Sequence, residues 1–429
     1  MATFLPGDPT VVVRAPDLSP FRRGARWLVL APRTGASILL EGSRLRLFGS
    51  LATPIPVARL HERHPELPAS EIRELLEELQ AAGMLVVAGR AAAPPSEPPP
   101  PPGLPARLSL RLVEGCSPQC PACAALPGER RALGPDQARR AVEEGLDALP
   151  AGRVRLDVTG GEPLAAFEAL EAALLRAREI RPGTALAVRT QGVGLGACRA
   201  ARLHELGAEV LLVLHEAPGQ PGAEEGLLAD RAREALGALP EILATGLSCA
   251  PLGVVRRPGQ ALALFRLLMG LGYRTLGLEL SAPPADLPDR DARLEALAED
   301  LLAVADAVRD HEARTPVRVR VHPLEAMMAR LRAGFARADC GHPECGAPRP
   351  AREVGLPAPA ACAKAPVPAE EVHPRCPRCP FWRVCRGGCR FARGSRDLDA
   401  RCRLWLGAYE GLLWRMHEDP AWMGRHRDA

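Results

Sequence analysis

Leu108-Ser109-Leu110-Arg111-Leu112-Val113 runs almost directly into Cys116-Ser117-Pro118-Gln119-Cys120-Pro121-Ala122-Cys123. The first six residues alternate as a strand with two distinct faces does. The next eight place three thiols in C-x3-C-x2-C spacing at the C-terminal end of that strand, where barrel enzymes keep their chemistry. Three thiolates are one short of a closed four-cysteine site. An iron–sulfur cubane held by three cysteines leaves one iron open to a substrate or cofactor. A structural zinc would want a fourth ligand close by, and none follows.

Working outward, strands and helices alternate. A helix is expected over about 135–147, then a strand Val154-Arg155-Leu156-Asp157-Val158 that ends in Thr159-Gly160-Gly161-Glu162-Pro163. Paired glycines let a ligand come close to the backbone, and Glu162 can accept hydrogen bonds from a ligand ammonium. Further strands are read at Ala185–Val188, Val210–Leu214, near Gly253–Val255 and at Leu276–Leu280. A helix near 291–308 gathers Leu294, Leu297, Leu301, Val304 and Val308 on one face. Repeated strand–helix units imply a parallel sheet with right-handed crossovers. Six units are too few for an eight-fold barrel, so an α/β partial (β/α)6 TIM-like barrel is expected over 106–330.

Residues 91–105, rich in proline, read as an extended spacer. Before it, 1–90 reads as a small winged-helix-like unit. Arg26–Leu30, Ile38–Leu40 and Arg44–Leu47 are expected as strands. Val57–His64 reads as a short helix, and a second from Ser70 puts Ile72, Leu75, Leu76 and Leu79 on one face. Gly83 stops that helix before a strand over Met84–Val87.

The chain has 13 cysteines, and all but Cys198 and Cys249 fall in clusters. From about 335 to the end, apolar periodicity is lost until a helix near 403–417. Here Cys376, Cys379, Cys385 and Cys389 give C-x2-C-x5-C-x3-C, with Cys402 beyond and Cys340, Cys345 and Cys362 upstream. Eight thiols suit two four-cysteine clusters. The same count would serve a pair of zinc sites, since C-x2-C pairs are common in zinc ribbons.

With the cysteine triplet one strand ahead of Gly-Gly-Glu-Pro, the sequence resembles the radical S-adenosylmethionine (AdoMet) superfamily. The resemblance implies that Cys116, Cys120 and Cys123 bind a [4Fe-4S] cluster and that Gly160, Gly161 and Glu162 hold the methionyl amine. Gln191 and Glu216, at the ends of the third and fourth strands, would reach the ribose; they read equally as exposed turn residues. A 5′-deoxyadenosyl radical would then abstract a substrate hydrogen. Ala122 departs from the aromatic residue usual before the third cysteine. The cysteines over 331–429 resemble a SPASM domain. By that resemblance Cys340, Cys345, Cys362 and Cys389 hold one auxiliary [4Fe-4S] cluster, and Cys376, Cys379, Cys385 and Cys402 hold the other. The family's Gly-x4-Cys falls on Gly355 and Cys362, which stand further apart here.

Residues 1–90 resemble the PqqD-like peptide-recognition (RRE) domains fused to maturases of ribosomally made peptides, which bind a leader as an added strand. A flavodoxin or ferredoxin reductant is implied in the same way. The formal charge of +4 over 429 residues gives no reason to expect nucleic acid or a membrane surface as partner. Glu71, Glu74, Glu77 and Glu78 on the best N-terminal helix oppose a DNA-binding reading of the winged unit. The N-terminus has no secretory pattern and no apolar run is long enough to span a bilayer, so a cytoplasmic location is expected. The function expected is a peptide maturase that installs a crosslink or another oxidative change. The alternatives are an anaerobic sulfatase-maturase-like enzyme, weakened because Ala363 stands where an aspartate is expected, and a zinc-stabilised binding or regulatory protein.

Overall fold

The computed structural model describes residues 4–91, 105–114, 131–219, 226–283, 287–333, 351–355, 373–385 and 401–425. At the N-terminus, Val11–Arg14 pairs with Ile55–Pro56 and Leu85–Val87, and Leu85–Val87 with Arg90–Ala91, all antiparallel. Ser19–Arg23, Arg26–Leu30 and Ser37–Leu40 form a second antiparallel sheet. Helices span Gly42–Ser50, Val57–Arg63 and Ala69–Ala81, the last burying Ile72, Leu75, Leu76 and Leu79. These elements enclose their own core of Val12, Leu40, Leu47, Phe48, Leu60 and Met84 among others.

The strand expected over Arg44–Leu47 is a helix. Leu47, Phe48 and Leu51 are all buried, and one, three and four residues of separation lie on one side of a helix, not of a strand. Four residues alternate by chance too easily for period two to decide.

The central sheet carries the parallel strands β1 (Ala106–Glu114), β2 (Val154–Gly160), β3 (Ala185–Thr190), β4 (Ala208–Leu214), β5 (Ser248–Val255), β6 (Thr275–Leu280) and β7 (Arg320–His322), each paired with the next. A further strand, β8 (Ala351–Gly355), lies parallel on the outer side of β1. The helices α1 (Pro135–Asp147), α2 (Phe167–Ile180), α3 (Ala197–Glu205), α4 (Leu227–Ala244), α5 (Gln260–Gly270), α6 (Arg290–Arg314) and α7 (Leu324–Ala333) follow β1 to β7 in turn. The partial barrel therefore has the six expected strand–helix units and a seventh that was not expected, the short β7 followed by α7, with β7 and β8 at the two edges of the sheet.

Alternation sorts the side chains. Leu108, Leu110, Leu112, Leu156, Val188, Leu212 and Leu278 face the helices in the main core. The opposite, concave face is charged. Buried Asp157 accepts from Arg107 Nε at 2.5 Å and Arg155 Nε at 2.8 Å, and Arg155 reaches Glu209 at 3.4 Å. Above this floor a cavity of about 10 Å³, space for about one water, is lined by Arg107, Asp157, Thr159, Ala187, Arg189 and Leu211.

The C-terminal helix α8 (Cys402–Glu418) packs on α6, with Arg415 forming a two-pronged pair to Asp306 at 2.9 and 2.7 Å. It also receives the N-terminal unit. Phe21 stacks on Phe381 at 5.7 Å and Phe381 on Tyr409 at 5.5 Å. Arg23 and Arg26 lie over Trp414, and Arg26 pairs with Glu418 at 2.8 Å.

The barrel floor depends on Asp157 satisfying two guanidiniums at once. Truncating one partner of a buried ion pair leaves an uncompensated charge and costs about 3–5 kcal/mol. Asp157→Ala should lower the urea midpoint accordingly; an unchanged midpoint would show that the floor is not held this way.

Candidate functional site

The site begins where β1 and β2 end. Gly160 has φ +121°, and a Cβ there would run into the carbonyl oxygen of Val113. The register slips by one residue between Thr159 and Gly160, and the Gly161 N–H donates to Val113 O at 2.7 Å. Only glycine tolerates this conformation and this approach together. The consequence is a close coupling of the Gly-Gly-Glu turn to the last residues of β1.

Cys116, Cys120 and Cys123 lie outside the described residues, as do Cys340, Cys345, Cys362 and Cys389. Both ends of the loop that carries the first three are nonetheless placed. Val113 and Glu114 pair antiparallel with Ala132 and Arg131, so the two residues that flank 115–130 lie side by side next to Gly160.

Glu162 is buried at the start of a short 3-10 turn, Pro163–Ala166. Its Oε1 accepts from Thr190 Oγ1 at 2.5 Å and from the Leu164 N–H at 3.1 Å; its Oε2 accepts from the Gln191 N–H at 2.8 Å. A carboxylate offers about four acceptor positions, so three partners leave room for about one more. Burial pushes the Glu162 carboxyl above its ordinary value of 4.5, and these three hydrogen bonds and Arg231 only partly oppose the rise. Such a group gains from a cationic ligand. With no Cβ on Gly160 or Gly161, a main-chain approach beside it, and one acceptor position left, the cradle fits the ammonium of an amino-acid-like ligand such as the methionyl end of AdoMet.

Gln191 is buried, and its Oε1 accepts from Arg231 of α4 at 2.9 Å. Thr190 Oγ1 accepts in turn from the Gly192 N–H at 2.9 Å. Glu216, also buried, lies past the end of β4. It pairs with Arg257 at 2.5 Å and Arg256 at 3.7 Å, and Gln260 Nε2 stands 3.4 Å away. Gln260 ties two strand ends together: it donates to His215 O and accepts from the N–H groups of Arg256 and Arg257 at 2.8 and 3.4 Å. Asp300 of α6 accepts from the N–H groups of Ala261 and Leu262 at 2.6 and 3.2 Å, which caps α5 and fixes Gln260. The structure thus brings Glu162 and Gln191 into one network, with Glu216 on the next strand end but one in a separate arginine–glutamine network.

The sequence reading passed over Arg231, Arg256, Arg257 and Gln260. Gln260 alone carried a signal, as a polar residue opening the otherwise apolar run Ala261-Leu262-Ala263-Leu264-Phe265.

Four cysteines of the second constellation are described, none of them in a disulfide. Cys376 is buried and Cys379, Cys385 and Cys402 half-buried. The Cys379 N–H donates to Cys376 O at 2.9 Å. Burial pushes the Cys379 thiol up; the Phe381 N–H opposes this and the neighbouring Cys376 adds to it. Two adjacent thiols at C-x2-C spacing fit a shared metal or cluster. Among the described residues, no three His, Cys, Asp or Glu side chains converge on a single metal-ion position, and no helix is long and apolar enough to cross a membrane.

No protein-family model matches the chain. A GTP 3′,8-cyclase from Mycobacterium ulcerans (strain Agy99) is 27% identical over 328 residues, which covers 72% of this chain and 82% of that protein. Among solved structures, native anSMEcpe with bound AdoMet and Cp18Cys peptide superposes with a TM-score of 0.58 at 15% identity, over 76% of this chain and 100% of that one. Native anSMEcpe with bound AdoMet gives 0.57 at 15% identity, over 73% and 99%. At this identity the likeness is one of fold, the partial barrel.

The raised Glu162 carboxyl sets a pH dependence. The folded state holds the proton more tightly than the unfolded one, so this contribution to stability is full below about pH 4.5 and is lost as pH rises through the folded value. The melting temperature of ligand-free protein should fall across the window just above pH 4.5, and Glu162→Gln should flatten that decline. An identical slope in the variant would show that Glu162 does not titrate in this way.

Proposed function

We propose that this radical S-adenosylmethionine enzyme modifies a ribosomally made precursor peptide. Residues 1–90 would hold the leader and the mouth of the barrel would receive the core peptide. The observation that carries the radical chemistry is that Glu114 and Arg131, on either side of the cysteine-bearing segment, are paired next to the Gly160–Gly161 turn, which leads into a buried carboxylate with a spare acceptor position. Peptide substrates are supported by the fold it shares with anSMEcpe, whose structure was solved with AdoMet and the Cp18Cys peptide.

In this reading Cys116, Cys120 and Cys123 hold a [4Fe-4S] cluster and Glu162 holds the AdoMet ammonium. Together cluster and AdoMet supply hydrogen-atom abstraction, a chemistry no protein side chain provides. The chain's own residues orient and shield. Thr190 and the Gln191 N–H keep Glu162 turned toward the cradle, Arg231 steadies Gln191, and Gln260 holds the ends of β4 and β5 at a fixed separation. Gln191 and Glu216 serve the ribose. Cys340, Cys345, Cys362 and Cys389 would hold one auxiliary [4Fe-4S] cluster and Cys376, Cys379, Cys385 and Cys402 another, which would supply one-electron chemistry, with a flavodoxin or ferredoxin as the reductant. Location in the cytoplasm suits such oxygen-sensitive groups.

A second reading is favoured by the sequence match to a GTP 3′,8-cyclase, which would make a nucleotide the substrate. The sulfatase-maturase-like alternative suits the fold match, but Ala363 follows Cys362 where that chemistry wants an acid.

Anaerobically reconstituted protein should contain about twelve irons per chain for three cubane clusters and should release 5′-deoxyadenosine from AdoMet under reduction. Cys120→Ala should lose about four irons and all of that release. Glu162→Gln should keep its iron yet bind AdoMet about 30- to 160-fold more weakly, the loss expected for a charge-assisted hydrogen bond of about 2–3 kcal/mol. Iron-free, zinc-bearing protein after reconstitution would sink the reading.

A further inference from the structure

The concave face of the sheet carries more guanidinium than carboxylate toward the barrel mouth. Arg189 of β3 reaches across β4 and β5 to pair with Glu279 of β6 at 2.5 Å, over a small apolar patch of Val213, Leu252 and Val254. Arg111 stands beside Thr159, its register partner on β2, and Thr159 lines the same lumen cavity as Arg189. Arg256 continues the Leu252–Val254 alternation one step past the end of β5, so it lies on the same side.

Two of these arginines are incompletely satisfied. The Nε–H groups of Arg111 and Arg256 are buried and have no hydrogen-bond partner among the described residues. A buried unpaired donor costs free energy, the more so on a charged group, and calls for an explanation. Glu279 already serves Arg189, and Glu216 is held mainly by Arg257. The two donors lie on the same concave face, one on the first barrel strand and one just past the end of the fifth. Their separation is about 19 Å along the curved sheet at ~4.8 Å per strand step. An extended segment laid across the mouth meets each in turn.

We propose that the mouth recognises an acidic peptide segment: the residues flanking the modified position carry Asp or Glu carboxylates that accept from Arg111 on one rim and Arg256 on the other. This deepens the peptide reading above and rests on it. Arginine suits the task because its planar fork meets a carboxylate through two parallel hydrogen bonds. The Arg189–Glu279 pair forms a polar bar beneath the segment.

The test uses reconstituted holoenzyme saturated with AdoMet, so that the cofactor's carboxylate is not what the probes compete for. Three probes are titrated by calorimetry: a short synthetic peptide with three Glu residues, the same peptide with Gln at those positions, and GTP. The Glu peptide should bind at least about tenfold more tightly than the Gln peptide, and added salt should erode that preference. Arg111→Gln and Arg256→Gln should each reduce it by about tenfold, and Arg256→Lys, which keeps the charge but loses the fork, should restore only part of it. Iron content and circular dichroism check that each variant is folded and loaded. Equal binding of the two peptides would overturn this inference and leave the peptide reading standing. A Glu preference untouched by both Arg→Gln changes would also overturn it. Binding of GTP alone, with neither peptide bound, would overturn the peptide reading as well.

Discussion

The hydrogen bond from the Gly161 N–H to the carbonyl of Val113 is the contact on which the site depends. It exists only because Gly160 carries no Cβ and sits at φ +121°. Val113 then does two things with one residue. Its carbonyl anchors the Gly-Gly-Glu turn, and its pairing with Ala132 anchors the return of the cysteine-bearing loop. Glu114 and Arg131, which flank the cysteine-bearing segment, are thereby held next to the Gly-Gly-Glu turn, at the spacing of two neighbouring strands, about 4.8 Å at the backbone. The cradle needs no large conformational change to assemble, which limits the entropy lost when a ligand arrives.

Burial of Glu162 gives the cradle its selectivity. Exposed, the carboxylate would be hydrated and indifferent to one more hydrogen bond. Buried, and with its carboxyl raised by desolvation, it gains from any cation that replaces the lost water. Thr190 and the Gln191 N–H supply enough stabilisation to keep it oriented without neutralising it. The same logic runs along the mouth: Gln260 meets four polar groups of two strand ends, and the Asp300 cap from α6 holds it in place.

Much of the fold was legible because burial imposes a period. Ile72, Leu75, Leu76 and Leu79, or Leu294 through Val308, repeat over enough turns for the helical period to be unmistakable. The partial barrel was equally plain in its central strands, whose helix-facing leucines recur every second residue. Failure came where the window was short or a residue broke the pattern. Arg44–Leu47 alternates over four residues and is helical. β5 was read only from Gly253 because Pro251 interrupts it, although a proline whose missing N–H goes unused can stay in a strand. β7, three residues long, and β8, set among cysteine- and proline-rich sequence, offered too little pattern to find. Within the site, Gly160, Gly161 and Glu162 were visible as a motif. Arg231 and Arg256 were not, because a surface arginine and one turned into a lumen are spelled alike, and only the topology tells them apart.

The N-terminal unit is more than an appendage on a proline spacer. It has its own core, yet Leu28 and Leu30 of its second sheet join the main core. Phe21 of that sheet stacks on Phe381, which lies between Cys379 and Cys385, and Phe381 stacks on Tyr409 of the helix that Cys402 begins. Offset aromatic pairs are worth about 0.5–1.5 kcal/mol each beyond the area they bury, and the Arg26–Glu418 pair and the two arginines over Trp414 add to them. Three parts of the chain therefore share one contact: the unit proposed to hold a leader, the loop carrying Cys376, Cys379 and Cys385, and the helix that starts with Cys402. Close packing at this contact fixes the N-terminal unit against the two elements that carry these cysteines.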